Sequence, residues 1–298
     1  MSTSKFHRII VGIHGEKGER WLRELPARLE KWQEEHHADI LAPFELSYNF
    51  VAPVKFHDGR SAVFKLGFSP KEIGQEIHAL ENFKGGSIAG IMDADPDNEW
   101  LLIEQLKPGK MLKESTVSDS EGVKIAASIL PTLWKKPSTD AFPKVKDWAK
   151  GLEKLRSRFQ GGTGPLPPHL VEKAEFLFSH LLENERDVFL LHGDLHHGNI
   201  LFDANRGWTA IDAKGVIGEK EYDCIQFLIN ELLEQSNPFE ILDQRITLFC
   251  ELLNLDSERM IQWGFCHSVL SASWSTEEGG DSWKWGINCA ELFDRLLS

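Results

Sequence analysis

Apolar and polar residues alternate from Leu46 to Leu66 as they do in antiparallel strands, which predicts strands over 48–56 and 61–66. The runs 87–92 and 100–106 predict two more strands. An Asp58-Gly59 turn joins the first two as a hairpin, and a polar turn over 93–99 separates the last two. Between the pairs, Ile73, Ile77 and Leu80 share one face of a predicted helix. The pattern therefore predicts an antiparallel sheet with one packed helix.

From about Ser118 the spacing of apolar residues changes to three and four, which is typical of helices. The residues with this spacing are Val123, Leu130, Leu133, Val145, Trp148, Leu152, Leu155 and Phe159. After a glycine-rich break, further helices are predicted over 170–182 and from Glu221 to the C-terminus. The second part of the chain is therefore predicted to be mainly helical.

Together these patterns predict an α+β protein of two lobes, an N-terminal antiparallel β lobe with a helix and a C-terminal mainly α lobe. We place the lobes at residues 1–103 and 111–298, with a hinge over 104–110 that contains the predicted linker Lys107-Pro108-Gly109. The series Gly12-x-x-Gly15-x-x-Gly18 lacks the spacing of a phosphate-binding loop or a dinucleotide fingerprint. We therefore predict an ordinary loop there.

The composition restricts the classes of partner. The 298 residues are 41% hydrophobic, enough to bury the core of one large domain or the cores of two modest ones. The net charge of −13 argues against nucleic acid, because phosphate backbones attract clustered Lys and Arg. An acidic surface instead suits a cationic small molecule.

The sequence also indicates a compartment. The N-terminus lacks the apolar region of a signal peptide, and no stretch approaches the roughly 18 apolar residues that a membrane span needs. The four cysteines lie far apart without a CxxC pair, which indicates reduced core residues. We expect a cytoplasmic protein without a membrane partner, and the oligomeric state is left open.

The chemistry-bearing residues concentrate in the run His-Gly-Asp-Leu-His-His-Gly-Asn over 192–199. Phosphoryl transfer needs a carboxylate that accepts the proton of the attacking hydroxyl, and oxygen ligands that hold Mg²⁺ on the nucleotide phosphates. Asp194 is the candidate base, and Asn199 and Asp212 are the candidate metal ligands. Residues 200–211 predict a hairpin, which brings Asn199 and Asp212 to one end of the same ladder.

Two other interpretations fit parts of this run. Its acidic and amide residues are also common in turns and caps, and His192 would then be an ordinary core histidine. His192, His196 and His197 are also spaced closely enough for a zinc site, although no Cys or HExxH pattern accompanies them. We favour phosphoryl transfer because the residue types, their order and their spacing all match it.

The N-terminal lobe supplies candidate nucleotide contacts. Lys65 is placed to contact the phosphates, and Glu76, eleven residues later on the helix, is placed to pair with its ammonium. The alternative is a surface Lys and a solvated Glu. The backbone of Glu104 to Leu106 is the candidate contact for the adenine edge. Asn49 is a candidate phosphate donor, because the first hairpin has no glycine-rich loop.

With these residues, the chain resembles the aminoglycoside phosphotransferases, most closely the branch of streptomycin 6-phosphotransferases and hydroxyurea-type antibiotic resistance kinases. The resemblance is carried by Phe64-Lys65-Leu66, Glu72-x3-Glu76-x2-Ala79-Leu80, Leu101-Leu102-Ile103-Glu104, Pro108-Gly109, the run 192–199, and the segment from Ala210-Ile211-Asp212 to Tyr222-Asp223. It implies a protein-kinase-like fold and the roles given above for the base, the metal ligands and the phosphate clamp. One departure is Ala213, where the branch usually carries Pro, but the adjacent Asp212 is intact.

We therefore expect an ATP- and Mg²⁺-dependent O-phosphotransferase that acts on a small-molecule hydroxyl. An aminoglycoside such as streptomycin is the favoured acceptor, and GTP is an alternative donor. Candidate residues for a cationic acceptor are Trp274, Glu277, Glu278 and Asp281, which alternatively form a solvated loop. Two other functions stay open, a kinase of a metabolite alcohol or sugar and a catalytically silent kinase-like protein that binds nucleotide.

Overall fold

The structure is a computed structural model that describes residues 5–137, 139, 141–277 and 280–297. The chain divides into two compact units. The first contains residues 1–84 and 88–109, and the second contains residues 85–87 and 110–298. Within the described part of the chain, none of the helices combines the length and the hydropathy that a membrane-spanning segment requires.

The first unit is built on a five-stranded sheet. Its elements are α1 (Lys5–His36), β1 (Ala38–Ile40), β2 (Phe50–Phe56), β3 (Ser61–Leu66), α2 (Pro70–Asn82), β4 (Ile91–Asp95) and β5 (Trp100–Glu104). The strands are antiparallel in the order β1-β2-β3-β5-β4, which confirms the predicted sheet. The predicted hairpin forms with Phe50 opposite Leu66 and Lys55 opposite Ser61. α2 buries Ile73, Ile77 and Leu80, the face that their spacing predicted.

The strand predicted over 87–92 begins and ends later in the structure. β4 covers Ile91–Asp95, so part of the predicted polar turn belongs to a strand. β4 lies at the edge of the sheet, where acidic side chains are common because they discourage pairing with another chain. Ser87 is instead bound in the second unit, where its N–H donates to Thr132 Oγ1 at 2.8 Å.

The N-terminal residues form the long helix α1, so the loop predicted for Gly12-x-x-Gly15-x-x-Gly18 is wrong. At Gly15 the backbone leaves the helical region, with φ 55° and ψ −134°, and two helical segments meet in a kink. A Cβ atom at Gly18 would lie only 2.6 Å from the carbonyl oxygen of Ile10, so glycine permits this close approach. Trp21 and Trp32 are buried on α1, and their burial offsets the low helix propensity of the glycines.

The second unit is mainly helical, as predicted. The elements from the boundary onward are β6 (Pro108–Met111), α3 (Asp119–Leu133), α4 (Val145–Arg158), α5 (Pro168–Glu183), β7 (Val188–Leu191), β8 (Ile200–Asp203), β9 (Gly207–Ala210), β10 (Val216–Glu219), α6 (Lys220–Asp223), α7 (Ile225–Ile229), α8 (Pro238–Leu253), α9 (Ser257–Ser275) and α10 (Trp283–Leu296). The strands form two small sheets, β6-β8-β9 and β7-β10. Pro108 and Gly109, which we predicted as part of a linker, belong to β6.

A buried acidic residue at the end of β10 joins that strand to the long helix α9. Glu219 accepts hydrogen bonds from the Arg259 guanidinium, from Trp263 Nε1 at 3.0 Å and from the Arg186 N–H at 2.7 Å. Burial raises the pKa of Glu219, but the hydrogen bonds together lower it by more than burial raises it. The pKa of this carboxylate is therefore below its ordinary value. The charged cluster thereby fixes β10 and the start of α6, which carries Asp223.

Candidate active site

The run 192–199 directly follows β7, and its first histidine is held by two backbone groups. His192 is fully buried. Its Nδ1 accepts a hydrogen bond from the Asp194 N–H at 3.2 Å, so Nε2 carries the proton that is donated to the Ile211 carbonyl oxygen at 2.9 Å. Burial lowers the pKa of His192 to about 4, which keeps this ring neutral at pH 7. His192 therefore connects the backbone of Asp194 to the residue before Asp212.

A buried carboxylate holds the start of the same run. Asp223 accepts hydrogen bonds from the N–H groups of His192 at 3.1 Å and Gly193 at 2.8 Å, and from Trp134 Nε1 at 3.0 Å. Burial raises the pKa of Asp223 to about 6, against the effect of these three donors. Asp223 thus supports the backbone that carries Asp194.

The hairpin that follows brings the two candidate metal ligands to one end of a ladder. β8 and β9 pair with Ile200 opposite Ala210, and the Ile211 N–H donates to the Asn199 carbonyl oxygen at 2.9 Å. Asn199 Nδ2 donates to the Asp194 carbonyl oxygen at 2.9 Å, which leaves the Oδ1 atom as the oxygen ligand of this amide. Asp212 has φ 61°, a left-handed conformation that Asp tolerates better than most residues.

Lys214, whose place in the site the sequence pattern did not predict, lies beside these groups. Lys214 Nζ is 3.9 Å from Asp194 Oδ2 and 3.7 Å from Asp212 Oδ2. The candidate base and the candidate metal ligand therefore both lie within 3.9 Å of one ammonium group. The signal was present in the sequence as a lysine two residues after Asp212, but only the fold places it next to Asp194.

The three neighbouring histidines bind different partners and do not converge. His196 Nδ1 accepts from the Gly198 N–H at 3.0 Å. His197 Nδ1 lies 3.0 Å from Asn230 Oδ1, and its ring stacks on Phe227 with centroids 3.9 Å apart. Among the described residues, no group of three or more His, Cys, Asp or Glu side chains is arranged to hold a metal. The zinc interpretation therefore has no support in the structure.

In the first unit, the lysine and glutamate singled out from the sequence form a buried ion pair. Lys65 Nζ lies 2.9 Å from Glu76 Oε1 and 2.7 Å from Oε2. Both side chains are at most 10% exposed, so the alternative of two solvated surface residues is wrong. Glu76 fixes the ammonium of Lys65 on the central strand β3.

The other candidate nucleotide contacts lie on the same unit. Asn49 is half-buried just before β2, and its Oδ1 lies 3.2 Å from the position of a Cβ atom on Gly67. The Glu104 N–H donates to the Gly90 carbonyl oxygen, and Glu104 Oε2 accepts from the Gly90 N–H, each at 2.9 Å. Leu106 is buried immediately after the end of β5. These contacts define their surroundings, and their roles toward a nucleotide stay predictions.

The candidate acceptor residues have separate environments. Glu277 pairs with Arg158 at 2.9 Å and Asp281 pairs with Lys284 at 2.5 Å, so each carboxylate already has a basic partner. Glu278 lies outside the described residues. Trp274, near the end of α9, is 38% exposed and is the one large apolar side chain among these candidates.

Trp148 on α4, which its spacing predicted only as part of a helix face, connects Trp274 to the catalytic run. The rings of Trp148 and Trp274 meet edge to face, with centroids 6.1 Å apart. Trp148 Cη2 lies 3.4 Å from the position of a Cβ atom on Gly193, the residue before Asp194. An aromatic surface therefore extends from the neighbour of the candidate base to a half-exposed indole.

Comparisons with known proteins identify a family and a fold for this chain. A model of the aminoglycoside/hydroxyurea antibiotic resistance kinase family matches residues 31–279. The chain is 28% identical to a streptomycin 6-kinase of Streptomyces glaucescens, with 94% of each chain covered. The crystal structure of choline kinase LicA from Streptococcus pneumoniae has a TM-score of 0.67 at 16% identity, covering 92% of this chain and 99% of that chain.

A second solved structure is similar to the same extent. It is a thermostable mutant of aminoglycoside phosphotransferase APH(4)-Ia in a ternary complex with ADP and hygromycin B, with a TM-score of 0.64 at 11% identity, covering 90% of this chain and 97% of that chain. At these identities the two likenesses concern the fold, and they confirm the predicted kinase-like architecture. The family model spans most of the sequence, which confirms the resemblance found from the motifs. The chain belongs to the family of aminoglycoside/hydroxyurea antibiotic resistance kinases.

Proposed function

We propose that this protein transfers the γ-phosphoryl group of ATP to a hydroxyl of an aminoglycoside, with streptomycin as the favoured acceptor. Family membership gives the enzyme class, a phosphotransferase with an alcohol group as acceptor. The observation that carries the proposal is the convergence of Asp194, Asn199 and Asp212 at one end of the β8–β9 ladder. These are the groups that this chemistry requires.

Asp194 is the proposed base. The acceptor oxygen forms a bond to the γ-phosphorus while the bond from that phosphorus to the β–γ bridging oxygen breaks. ADP leaves with the bridging oxygen and its electron pair, and the hydroxyl proton passes to the Asp194 carboxylate and then to solvent. The hydrogen bonds from Asn199 and to His192 fix the backbone of Asp194 on both sides, so its carboxylate is oriented before the substrates bind.

Asn199 and Asp212 are the proposed Mg²⁺ ligands. An amide oxygen and a carboxylate are hard oxygen donors, which fit Mg²⁺ when the nucleotide phosphates complete its coordination. Bound Mg²⁺ would neutralise negative charge on those phosphates. The contribution of the chain is orientation, because Nδ2 of Asn199 is already used by the Asp194 carbonyl and Oδ1 must face the other way.

The first unit supplies the proposed nucleotide contacts. Lys65, held by Glu76, contacts the phosphates, since its ammonium is buried and already fixed in direction. We assign Asn49 to the phosphates as well, and the backbone of Glu104 and Leu106 to the base. ATP is the proposed donor, and replacing ATP by GTP in the assay tests that choice.

The acceptor is proposed to be cationic. The net charge of −13 attracts cations, and an exposed indole such as that of Trp274 binds a guanidinium or ammonium group through its ring face. Glu277 and Asp281 contribute at longer range, because Arg158 and Lys284 neutralise part of their charge. The similarity to a streptomycin 6-kinase over 94% of both chains supports an aminoglycoside of that type.

We place this reaction in the cytoplasm. All four cysteines, Cys224, Cys250, Cys266 and Cys289, are unbridged, which is typical of reducing compartments. Burial raises the pKa of Cys250 to about 11 and that of Cys289 to about 12, so these thiols stay protonated at pH 7.

The direct test is turnover of the purified protein with Mg²⁺ and ATP or GTP. The acceptors are streptomycin, other aminoglycosides, hydroxyurea and common sugar alcohols, and mass spectrometry identifies the phosphorylated product. We expect a phosphorylated aminoglycoside. Turnover with a sugar alcohol alone would instead make the protein a metabolic kinase, and nucleotide binding without any turnover would make it a silent binding protein.

Replacing the proposed base tests the mechanism. We expect Asp194→Asn to lower kcat by about 10³, because the proton acceptor is lost while the shape of the side chain is kept. The affinity for ATP, measured by calorimetry, should stay within a factor of about two to three, as is usual for residues that act mainly in the transition state. Asp187→Asn, on an exposed residue paired with Lys136, is the control and should retain wild-type kcat. Substantial turnover by Asp194→Asn would contradict the assignment.

A further inference from the structure

Lys214 lies close to two acidic groups of the proposed site, and the reaction proposed above gives it no role. Its ammonium is 3.9 Å from Asp194 Oδ2 and 3.7 Å from Asp212 Oδ2. Both distances exceed the roughly 2.7 to 2.9 Å of a charged hydrogen bond. The side chain is 46% exposed, so a bound substrate can reach it.

The backbone holds Lys214 firmly at this position. Its N–H donates to the His192 carbonyl oxygen at 2.9 Å, and the next N–H, of Gly215, donates to the same oxygen at 3.2 Å. The side chain then passes Gly193, where a Cβ atom would lie 3.4 Å from Lys214 Cβ. Gly193 also has φ 81°, so this residue both permits the turn and leaves room for the lysine. The ammonium is directed to the acidic groups by the same segment that carries the proposed base.

In a proposal that rests on the proposed function, we infer that Lys214 is a catalytic residue whose ammonium contacts an oxygen of the phosphoryl group during transfer. In the proposed reaction, Asp194 would bind the acceptor hydroxyl and Asp212 would hold the Mg²⁺ of the nucleotide phosphates. Lys214 is a cation close to both carboxylates, and it lies where negative charge spreads over the phosphoryl oxygens. A fixed positive charge at that place stabilises the transition state more than the bound ATP.

The bonds and charges of the step are those of the proposed reaction. The acceptor oxygen bonds to phosphorus, the bridging oxygen leaves with ADP, and Asp194 takes the hydroxyl proton. Lys214 keeps its own proton and forms no covalent bond, so its effect is electrostatic. In contrast, a lysine that only balanced the charges of Asp194 and Asp212 would affect the folded protein and all its nucleotide complexes alike.

Kinetics of three variants separate these two roles. We expect Lys214→Met to lower kcat by about 10², with the acceptor KM changed by less than about threefold, as for the loss of one donor that acts on developing charge. Lys214→Arg should recover part of the loss, because it restores the charge with a different geometry. Lys124→Met, on an exposed lysine of α3, is the matched control and should leave kcat unchanged.

Nucleotide binding gives a readout that does not depend on turnover. Calorimetry compares ADP with a non-hydrolysable ATP analogue, each with Mg²⁺, for the wild type and Lys214→Met. We expect Lys214→Met to lower the affinity for the analogue more than the affinity for ADP, because only the analogue carries a γ-phosphate. The melting temperature should stay within a few degrees of the wild-type value.

The inference is supported only if kcat falls and the analogue is weakened relative to ADP. It is overturned if Lys214→Met keeps wild-type kcat, or if the affinities for both nucleotides fall by the same factor. Wild-type turnover on the acceptor panel is measured first, and its absence would remove the proposed function itself. Wild-type turnover combined with a fully active Lys214→Met would remove only the role of Lys214.

Discussion

The amide of Asn199 shows how one side chain serves two requirements of the site. Its Nδ2 donates to the carbonyl oxygen of Asp194 at 2.9 Å, and its Oδ1 is the proposed metal ligand. A carboxylate at this position would be a stronger metal ligand, but it has no hydrogen to donate. The backbone carbonyl of the proposed base would then face a negative oxygen.

We therefore predict that Asn199→Asp impairs the enzyme although it adds negative charge at the proposed metal site. At saturating Mg²⁺, kcat should fall by at least about tenfold. The lost hydrogen bond positions Asp194, and about one to two kcal/mol of transition-state stabilisation corresponds to that factor in rate. The free energy of unfolding should fall by about 1–3 kcal/mol, the usual cost of an unpaired buried group. Steady-state kinetics and urea unfolding measure the two effects. Asn205→Asp, in an exposed turn, should change neither, and wild-type kcat in Asn199→Asp would show that the donated hydrogen bond is dispensable.

At this scale the sequence predicted residue types better than it predicted contacts. Asp194, Asn199 and Asp212 were identifiable because their order and spacing are local to one hairpin. Lys214 and Trp148 were not identified as site residues, because their places depend on folding back against Gly193. Glu277 and Asp281 were identifiable as acidic, but their pairing with Arg158 and Lys284 appears only in the structure.

At the scale of elements, β10 and α9 are joined by the charged cluster around Glu219. The carboxylate is 1% exposed and Arg259 is 7% exposed, so neither charge is compensated by water. The cluster also binds Trp263 of the same helix and the N–H of Arg186, just before β7. Because α6 follows β10 directly, this cluster also helps to hold Asp223 in place beneath the catalytic run.

We predict that Glu219→Ala lowers the free energy of unfolding by about 3–5 kcal/mol, since it leaves the Arg259 guanidinium buried without its anion. Urea unfolding monitored by circular dichroism measures the change. Glu258→Ala, on the exposed face of the same helix, should cost less than about 1 kcal/mol. A similar loss in both variants would mean that the cluster has no special contribution.

The elements that were predicted correctly and those that were not differ in a physical respect. The hairpin β2–β3 and helix α2 have strong local periodicity, so pattern and fold agree. Helix α1 contains a glycine series and Pro26, which indicate a loop. It forms because Trp21 and Trp32 are buried, and this burial cannot be predicted from the local sequence. β4 was misplaced because an edge strand accepts the acidic residues that otherwise indicate a turn.

At the scale of the whole molecule, four histidines are buried or partly buried and are uncharged at pH 7. Burial lowers the pKa of His192, His196, His197 and His267 to about 4 in each case. In the unfolded chain a histidine titrates near pH 6.5. Between these two values the unfolded chain binds more protons than the folded one, so the free energy of unfolding falls as the pH falls. The full contribution is present above pH 6.5 and is lost as the pH falls through 4.

His267, on helix α9 and outside the run 192–199, allows this pH dependence to be tested at a single residue. It is 1% exposed, and its Nδ1 lies 2.8 Å from the Tyr222 hydroxyl. Between pH 7 and pH 5, one such histidine should account for about 2 kcal/mol of lost stability. We expect His267→Asn, which keeps a polar group near Tyr222, to show a decrease smaller by about that amount in urea unfolding. His169→Asn, on an exposed residue, should keep the wild-type decrease, and equal decreases in all three proteins would contradict the prediction.

The left-handed backbone at Asp212 has an evolutionary consequence. Asn, Asp and Gly are the residues that adopt a φ near 61° at low cost, and of these only Asp brings the negative charge that we propose for the metal. A descendant with Asn or Gly at this position would keep the hairpin and the fold but lose the ligand charge. Selection for folding alone therefore does not protect this residue. Relatives that bind nucleotide without catalysing phosphoryl transfer are expected to carry their first substitution at this position.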